Sequence, residues 1–349
     1  MGSVAAECGS ASMPGERGSA NVAAEVLIIP DGAAQPPHPG MPTALEQART
    51  PALRRLAAEG AVLRAATTPT GLPAGSETGI TTLLGVRARQ RVGRGYVDAA
   101  AHGIEVPPGL KPFRADLLYR SGRRASVRQA RDVRAHLGPR AICIGGHRLL
   151  LLARRQPADR RLLGLDLKVW PEGSEPEGSL GSELVVVCAR GAAAGLGRLL
   201  GARVIVPDGA TGDVDSNLAA KASAALDALR AGARRVVVHV GAPDEAAHRR
   251  QPDAVAAALE RIDAELVAPL SRAVAELGGR LAVCPDHGTD PLTGRHDPAP
   301  VPAVVWGRGV AAEGPARLSE REPGRTVDGA TLFAAVLADG AGNKGEEAA

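Results

Sequence analysis

Several stretches of the chain pair carboxylates with imidazoles at spacings suited to divalent cations. In VVVHVGAPDEAAH (236–248), Asp244 and His248 stand four residues apart, which on a helix puts both side chains on one face. The apolar run Arg280–Cys284 leads into Asp286 and His287, and His296 follows nine residues after His287. Asp31 closes the run EVLIIP (Glu25–Pro30), and Ser76 opens an apolar, helix-like stretch after Gly75. Each feature also has a plain reading: Asp244 as a helix N-cap with a solvated His248, Asp31 as a turn former before Gly32, and Ser76 as an N-cap. Taken jointly they point elsewhere. Strand ends that each collect Asp and His need partners for their charge, and a pair of Zn- or Mn-like cations supplies them. A serine at a helix N-terminus beside such cations is placed to attack an anion held by free backbone N–H groups.

The elements that must position these groups read as α/β. Apolar β-branched runs at Glu25–Pro30, Ala61–Ala66, Arg203–Val206, Val236–Val240, Arg280–Cys284 and Ala303–Trp306 predict mostly parallel, buried strands. Helical patterns fill the intervals at Thr43–Gly60, Leu218–Ala231, Asp253–Leu277 (kinked or split in two at Pro269) and Thr326–Leu337. Between about 92 and 203 the pattern changes to short strands, at Ala141–Ile144, Leu149–Ala153 and Leu184–Cys188, with a loop at Trp170–Ser182. This predicts a smaller α+β unit inserted in the first. The expected division is a disordered arm (1–21), a core (22–91 and 204–339), an inserted cap (92–203) and a disordered tail (340–349). The cap carries the basic candidates Arg94, Arg120, Arg123, Arg124, His147 and Arg148.

Composition narrows the function. The 349 residues carry a net charge of +4 but only two Trp, two Tyr and two Phe, too few stacking residues for a nucleic-acid surface. A small anionic substrate suits that balance. No segment approaches the ~20 apolar residues that cross a membrane, and the first residues have no apolar signal core. The four cysteines form no CxxC pair and read as reduced, buried thiols of a cytoplasmic protein.

These motifs together resemble the alkaline phosphatase superfamily, and within it the cofactor-independent (2,3-bisphosphoglycerate-independent) phosphoglycerate mutases of archaeal type. The resemblance spans about residues 26–337. It rests on PDG (30–32), PAGSETGITTLLG (73–85), GRGYVDAAAHGIEV (93–106), PDGATGDVDSN (207–217), HVGAPDEAAH (239–248), ALERIDAELVAPL (258–270) and PDHGT (285–289). It implies an alkaline-phosphatase-like, mostly parallel sheet flanked by helices, with a smaller inserted α+β domain. It also implies two divalent ions, commonly manganese with zinc or cobalt as alternatives, and no 2,3-bisphosphoglycerate. Asp244, His248 and His296 would bind one ion; Asp31, Asp286, His287 and Ser76 the other. Ser76, its hydroxyl acidified there, would take up the phosphoryl group and return it, interconverting 2- and 3-phosphoglycerate.

By the same resemblance His147, Arg148 and Arg94 contact the substrate's carboxylate or phosphate. Lys221 reads either as a phosphate contact or as an exposed helix position. Two departures stand out: Glu77 where the family usually has Asp, and Val86-Arg87-Ala88 where it has Tyr-Asp-Pro. Together with a compact cap they motivate an alternative, a metal-dependent phosphatase or phosphotransferase acting on another small phosphorylated or phosphonate metabolite. A third reading, a metal-stabilised protein that only binds such a ligand, has no use for Ser76. The expected partner is a small phosphorylated metabolite, with neither nucleic acid nor membrane.

Overall fold

A strand buried on both faces needs no polar alternation, and β1 (Glu25–Pro30) has none. Val26 and Ile28 enter one core, Leu27 and Ile29 the other. A computed structural model describes residues 23–87 and 89–332. The expected N-terminal arm and C-terminal tail, Cys8 and the end of the closing helix lie outside the described residues. The strands after β1 are β2 (Ala61–Ala66), β3 (Lys111–Leu118), β4 (Ala141–Cys143), β5 (Arg148–Ala153), β6 (Arg160–Leu162) and β7 (Leu165–Val169). Then come β8 (Leu184–Val187), β9 (Arg203–Ile205), β10 (Arg235–Val240) and β11 (Arg280–Val283). The last are β12 (Gly288–Asp290), β13 (Arg295–Asp297), β14 (Val301–Gly307) and β15 (Thr326–Asp328).

Eight strands form one sheet in the order β15-β2-β14-β11-β1-β10-β8-β9, and only β14 runs against the rest. Helices Pro51–Glu59, Leu218–Arg230 and Pro252–Ile262 cover one face. Helices Ser76–Leu83, Arg94–His102 and Ala192–Leu199 cover the other. The fold is thus α/β with a large, mostly parallel sheet. A second, antiparallel sheet of order β4-β5-β3-β7-β6 carries helix Val127–Leu137 on one face, through Ala130 and Val133. Helix Arg94–His102 joins the two sheets: Val97 and Ala101 pack toward the main core, while Ala99 packs on Leu150 and Leu152 of β5.

The structure corrects several expectations. Leu184–Val187, expected in the inserted unit, is β8 of the main sheet between β10 and β9; a run such as LVVV carries no local mark of which sheet it joins. Thr43–Gly60 is two helices, Ala44–Gln47 and Pro51–Glu59, because Pro51 has no N–H to continue the first and serves as the first residue of the second. The long helix is interrupted before Pro269 by one wide π-turn, Asp263–Val267, which relieves the clash of the proline ring with the carbonyl one turn back. The buried Asp263 in that turn accepts the N–H groups of Ala52 and Leu53 at 3.0 and 2.6 Å, capping helix Pro51–Glu59 from outside. Thr326–Asp328, expected as the start of a helix, is the edge strand β15. Cys188 and Cys284 are buried free thiols, but Cys143 is exposed.

Candidate metal centre

Strands β11, β1 and β10 are parallel neighbours, registered Ile28 against Val283 and Pro30 against Val240. That register brings Asp31, Gly241 and Asp286 to one rim, the carboxyl edge where open α/β sheets bind ligands. Alternation turns Asp31 and His239 to the side of Leu27, Ile29 and Val237, the side covered by helix Ser76–Leu83.

Two clusters form at this rim. In the first, His248 Nε2 lies 3.2 Å from Asp244 Oδ2 and 3.1 Å from His296 Nε2, and His296 Nε2 lies 3.6 Å from Asp244 Oδ1. In the second, His287 Nε2 lies 3.2 Å from Asp31 Oδ1 and 3.7 Å from Asp286 Oδ2. Within each cluster the ligand atoms lie within 4.8 Å of one another. The Ser76 hydroxyl donates to Asp31 Oδ1 at 3.2 Å and caps no helix; the helix N-cap is Gly75. Asp244 is not an N-cap either, for it sits inside helix Ala242–His248 and accepts from Thr289 Oγ1 at 2.7 Å. Gly32, at φ +59°, lets these pieces approach: a Cβ there would lie 2.5 Å from Asp244 Oδ1, and its N–H donates to Asp286 Oδ1 at 3.0 Å.

The donor set fits divalent cations. The Nδ1 atoms of His248, His287 and His296 lie 2.9, 3.1 and 3.0 Å from the carbonyls of Gly294, Gly288 and Ala74. A carbonyl accepts only from an N–H, so in each neutral ring Nδ1 carries the proton and the Nε2 lone pair faces its cluster. Asp286 Oδ2 and His287 Nε2 are buried without a hydrogen-bond partner. Charge is unbalanced too. Burial, followed by the charge of Asp31, pushes the Asp286 carboxyl well above its usual range. Burial and Asp244 oppose ionisation of Asp31, yet the imidazoles of His239 and His287, each 3.2 Å away, hold it below the usual carboxylate range. Burial disfavours charge on His287, but Asp286 and then Asp31 push it up to about 10. A proton on that Nε2 is what a cation would replace.

The centre forms the floor of a cleft of about 580 Å³ whose opposite wall is the five-stranded unit. Of the expected substrate contacts, Arg94, His147 and Arg148 line it and Lys221 does not. Arg94 already pairs with Glu77, approaches Asp98 at 3.9 Å and lies over the Trp170 ring. Burial pushes His147 down to about 4, with Asp116 opposing and Arg124 and Arg148 assisting, so the ring is neutral near pH 7. Burial and the Arg114 cation depress Arg148, a strain that an anion would relieve. Arg124 also faces the cleft, whereas Arg120 and Arg123 do not line it. Lys221 is corrected outright: it is fully buried and Nζ donates to the His239 carbonyl at 2.7 Å. Burial pushes it down to about 8, against the charge of Asp31.

Sequence reasoning passed over His239, whose Nε2 lies 3.2 Å from Asp31 Oδ2, and the Arg114–Asp116 pair at 2.7 Å in the cleft wall. The signal for His239 was a lone polar residue inside a run of valines; Arg114 and Asp116 had none.

Fold and site together define an α/β protein with paired acid-and-histidine clusters beside a serine. Residues 23–332 match the Metalloenzyme superfamily, and the chain belongs to that family. It is 28% identical to the 2,3-bisphosphoglycerate-independent phosphoglycerate mutase of Methanosarcina barkeri, over 80% of this chain and 89% of the relative. It is 27% identical to phosphoglycerate mutase 1 of the same kind from Archaeoglobus fulgidus, over 85% and 92%. Its fold is similar to that of a Pyrococcus horikoshii protein (TM-score 0.72, 23% identity, 90% of this chain and 96% of that one). It also resembles the cofactor-independent phosphoglycerate mutase of Thermoplasma acidophilum (TM-score 0.55, 20% identity, 90% and 99%). The expected resemblance to the archaeal mutases is borne out. Among the described residues no helix is long and apolar enough to cross a membrane.

Proposed function

We propose that the chain is a metal-dependent phosphoglycerate mutase that interconverts 2- and 3-phosphoglycerate through a phosphoserine at Ser76. The names of its relatives support the substrate. The observation that carries the chemistry is the Ser76 hydroxyl, 3.2 Å from Asp31 Oδ1 on the floor of a cleft walled by cations. Asp244, His248 and His296 would hold one divalent ion and Asp31, Asp286, His287 and Ser76 a second, with manganese, zinc or cobalt all suited to these donors. Bound there, divalent ions supply charge neutralisation for phosphoryl oxygens and acidify the serine hydroxyl.

The chain's own residues do the rest. Ser76 Oγ attacks phosphorus in line; the bond from phosphorus to serine forms as the bond to the substrate oxygen breaks. The freed alkoxide takes up the proton that the Ser76 hydroxyl gave up, and the glycerate turns between the cap cations. Its other hydroxyl then attacks the phosphoserine, and Ser76 is regenerated. We assign the five-stranded unit as the cap that holds the glycerate, with Arg148 reading its carboxylate or phosphate and neutral His147 beside it.

A second reading has one observation in its favour. The cleft volume of about 580 Å³ lies mid-range among small-molecule pockets and leaves room beyond a three-carbon phosphate. Water or another hydroxyl as acceptor would make the same centre a phosphatase or phosphotransferase on a larger metabolite. One experiment separates the two. Metal-loaded protein is given 3-phosphoglycerate, 2-phosphoglycerate is followed by coupling to enolase, and inorganic phosphate is measured in parallel. Isomerisation lost in Ser76→Ala is the expected result. Phosphate release outpacing isomerisation selects the second reading, and full activity in Ser76→Ala overturns both.

A further inference from the structure

We propose that His239 is a positioning residue of the metal centre: its Nε2–H faces Asp31 Oδ2 and so reserves Oδ1, the oxygen beside His287, for the cation. This rests on the metal-centre reading above and adds a residue to it. His239 breaks an otherwise aliphatic run, Val236–Val238 and Val240, at a strand position where valine would pack as well. An imidazole there has to gain something from its neighbours to offset its burial.

Its place in β10, paired with Ile29 in β1, turns the ring to the Ser76 side. The side chain is 9% exposed, and buried Nε2, which makes no hydrogen bond among the described residues, faces Asp31 Oδ2 at 3.2 Å. The two imidazoles divide the oxygens of Asp31 between them. Oδ1 lies 3.2 Å from His287 Nε2 and Oδ2 lies 3.2 Å from His239 Nε2, while the Ser76 hydroxyl reaches both, at 3.2 and 3.4 Å. A carboxylate without a donor on one oxygen is free to rotate or to chelate through both, which blurs the geometry offered to a cation and to the serine. A ring N–H on the outer oxygen removes that freedom. The strand backbone that carries the ring is held in turn, because Lys221 Nζ, fully buried, donates to the main-chain carbonyl of His239 at 2.7 Å. That hydrogen bond gives the buried lysine a structural use in place of the substrate contact it does not make.

The test is calorimetric titration of MnCl2 into metal-free wild type, His239→Ala and His239→Gln at one neutral pH, with thermal melts of the metal-free proteins as a check on folding. Wild type takes up two ions. His239→Ala is expected to lose about 10- to 100-fold in affinity for one ion and to keep the other. His239→Gln, whose amide N–H reaches as far as Nε2, restores most of that loss. Binding of both ions by His239→Ala as tightly as by wild type overturns the assignment. So does a folded His239→Gln that binds no better than the alanine variant. A wild type that binds no Mn overturns the metal-centre reading itself, and this inference with it.

Discussion

Helix Ser76–Leu83 sits against the strand end that carries Asp286 with nothing between them at Gly79. A Cβ placed on Gly79 would lie 2.0 Å from the Asp286 carbonyl oxygen and 2.9 Å from its Cβ. Real Cβ atoms essentially never come within 3.0 Å, so Gly79→Ala must separate the helix from Asp286 by at least 3.0 − 2.0 = 1.0 Å. The backbone of Gly79 is helical, and alanine in a helix is worth about 1 kcal/mol over glycine. Overpacking costs about 1–3 kcal/mol, so the net loss of stability is small, about 0–2 kcal/mol. Function is expected to suffer far more. Ser76 rides on this helix and Asp286 and His287 on the opposing segment, so the displacement falls between the proposed nucleophile and its cluster. A 1 Å misplacement costs roughly 100-fold in rate. The assay is turnover of metal-loaded Gly79→Ala on 3-phosphoglycerate, beside its melting temperature without metal. A variant that melts higher than wild type and turns over within twofold of it would refute the reasoning, since the helix would then have absorbed the methyl group without moving Ser76.

Arg148→Ala removes a cleft cation already strained by burial and by Arg114; with charged hydrogen bonds worth about 1.5–3 kcal/mol, KM for a phosphorylated substrate should rise roughly 10- to 100-fold while Mn binding stays unchanged. Glu320 is buried, which pushes its carboxyl up to about 7 although it accepts from Thr43 Oγ1 at 2.6 Å and the Gln35 N–H at 3.0 Å. The folded chain therefore binds this proton more tightly than the unfolded chain. Stability falls as pH rises from 4.5 to about 7 and is level above, by about 3 kcal/mol in all. Denaturant melts of Glu320→Gln should lack that slope and exceed wild type at pH 8. Asp263→Ala strands the N–H groups of Ala52 and Leu53, and at about 1–3 kcal/mol for each buried donor the loss should be measurable by urea unfolding with metal binding intact.

The seven ligand candidates were legible because their positions are local facts. Asp31, Asp286 and His287 follow apolar strands directly, and Asp244 with His248 occupies one helical face. That they share a rim depends on three strands lying side by side, parallel, with Ile28 beside Val283 and Pro30 beside Val240. Repeated apolar runs imply parallel strands but say nothing of their order. That is why the sequence points to the clustering of these acids and imidazoles yet not to Leu184–Val187 as a strand of the main sheet.

Side-chain fate was harder to read, because it is set by partners distant in sequence. Lys221 looked like either a phosphate ligand or a solvated helix residue and is neither. Arg94 and Arg148 are both cleft arginines, but Glu77 neutralises one, while the other faces the cleft beside a second cation. Sequence alone thus determined which residue types stand at the ends of strands and helices, since those positions follow from short-range periodicity and turn chemistry. Tertiary structure decided which carboxylate meets which imidazole, which cations remain free for an anion, and that a histidine among valines faces Asp31. Those outcomes depend on register and close approach between segments up to some 250 residues apart, such as Gly32 and Asp286, which no local pattern encodes.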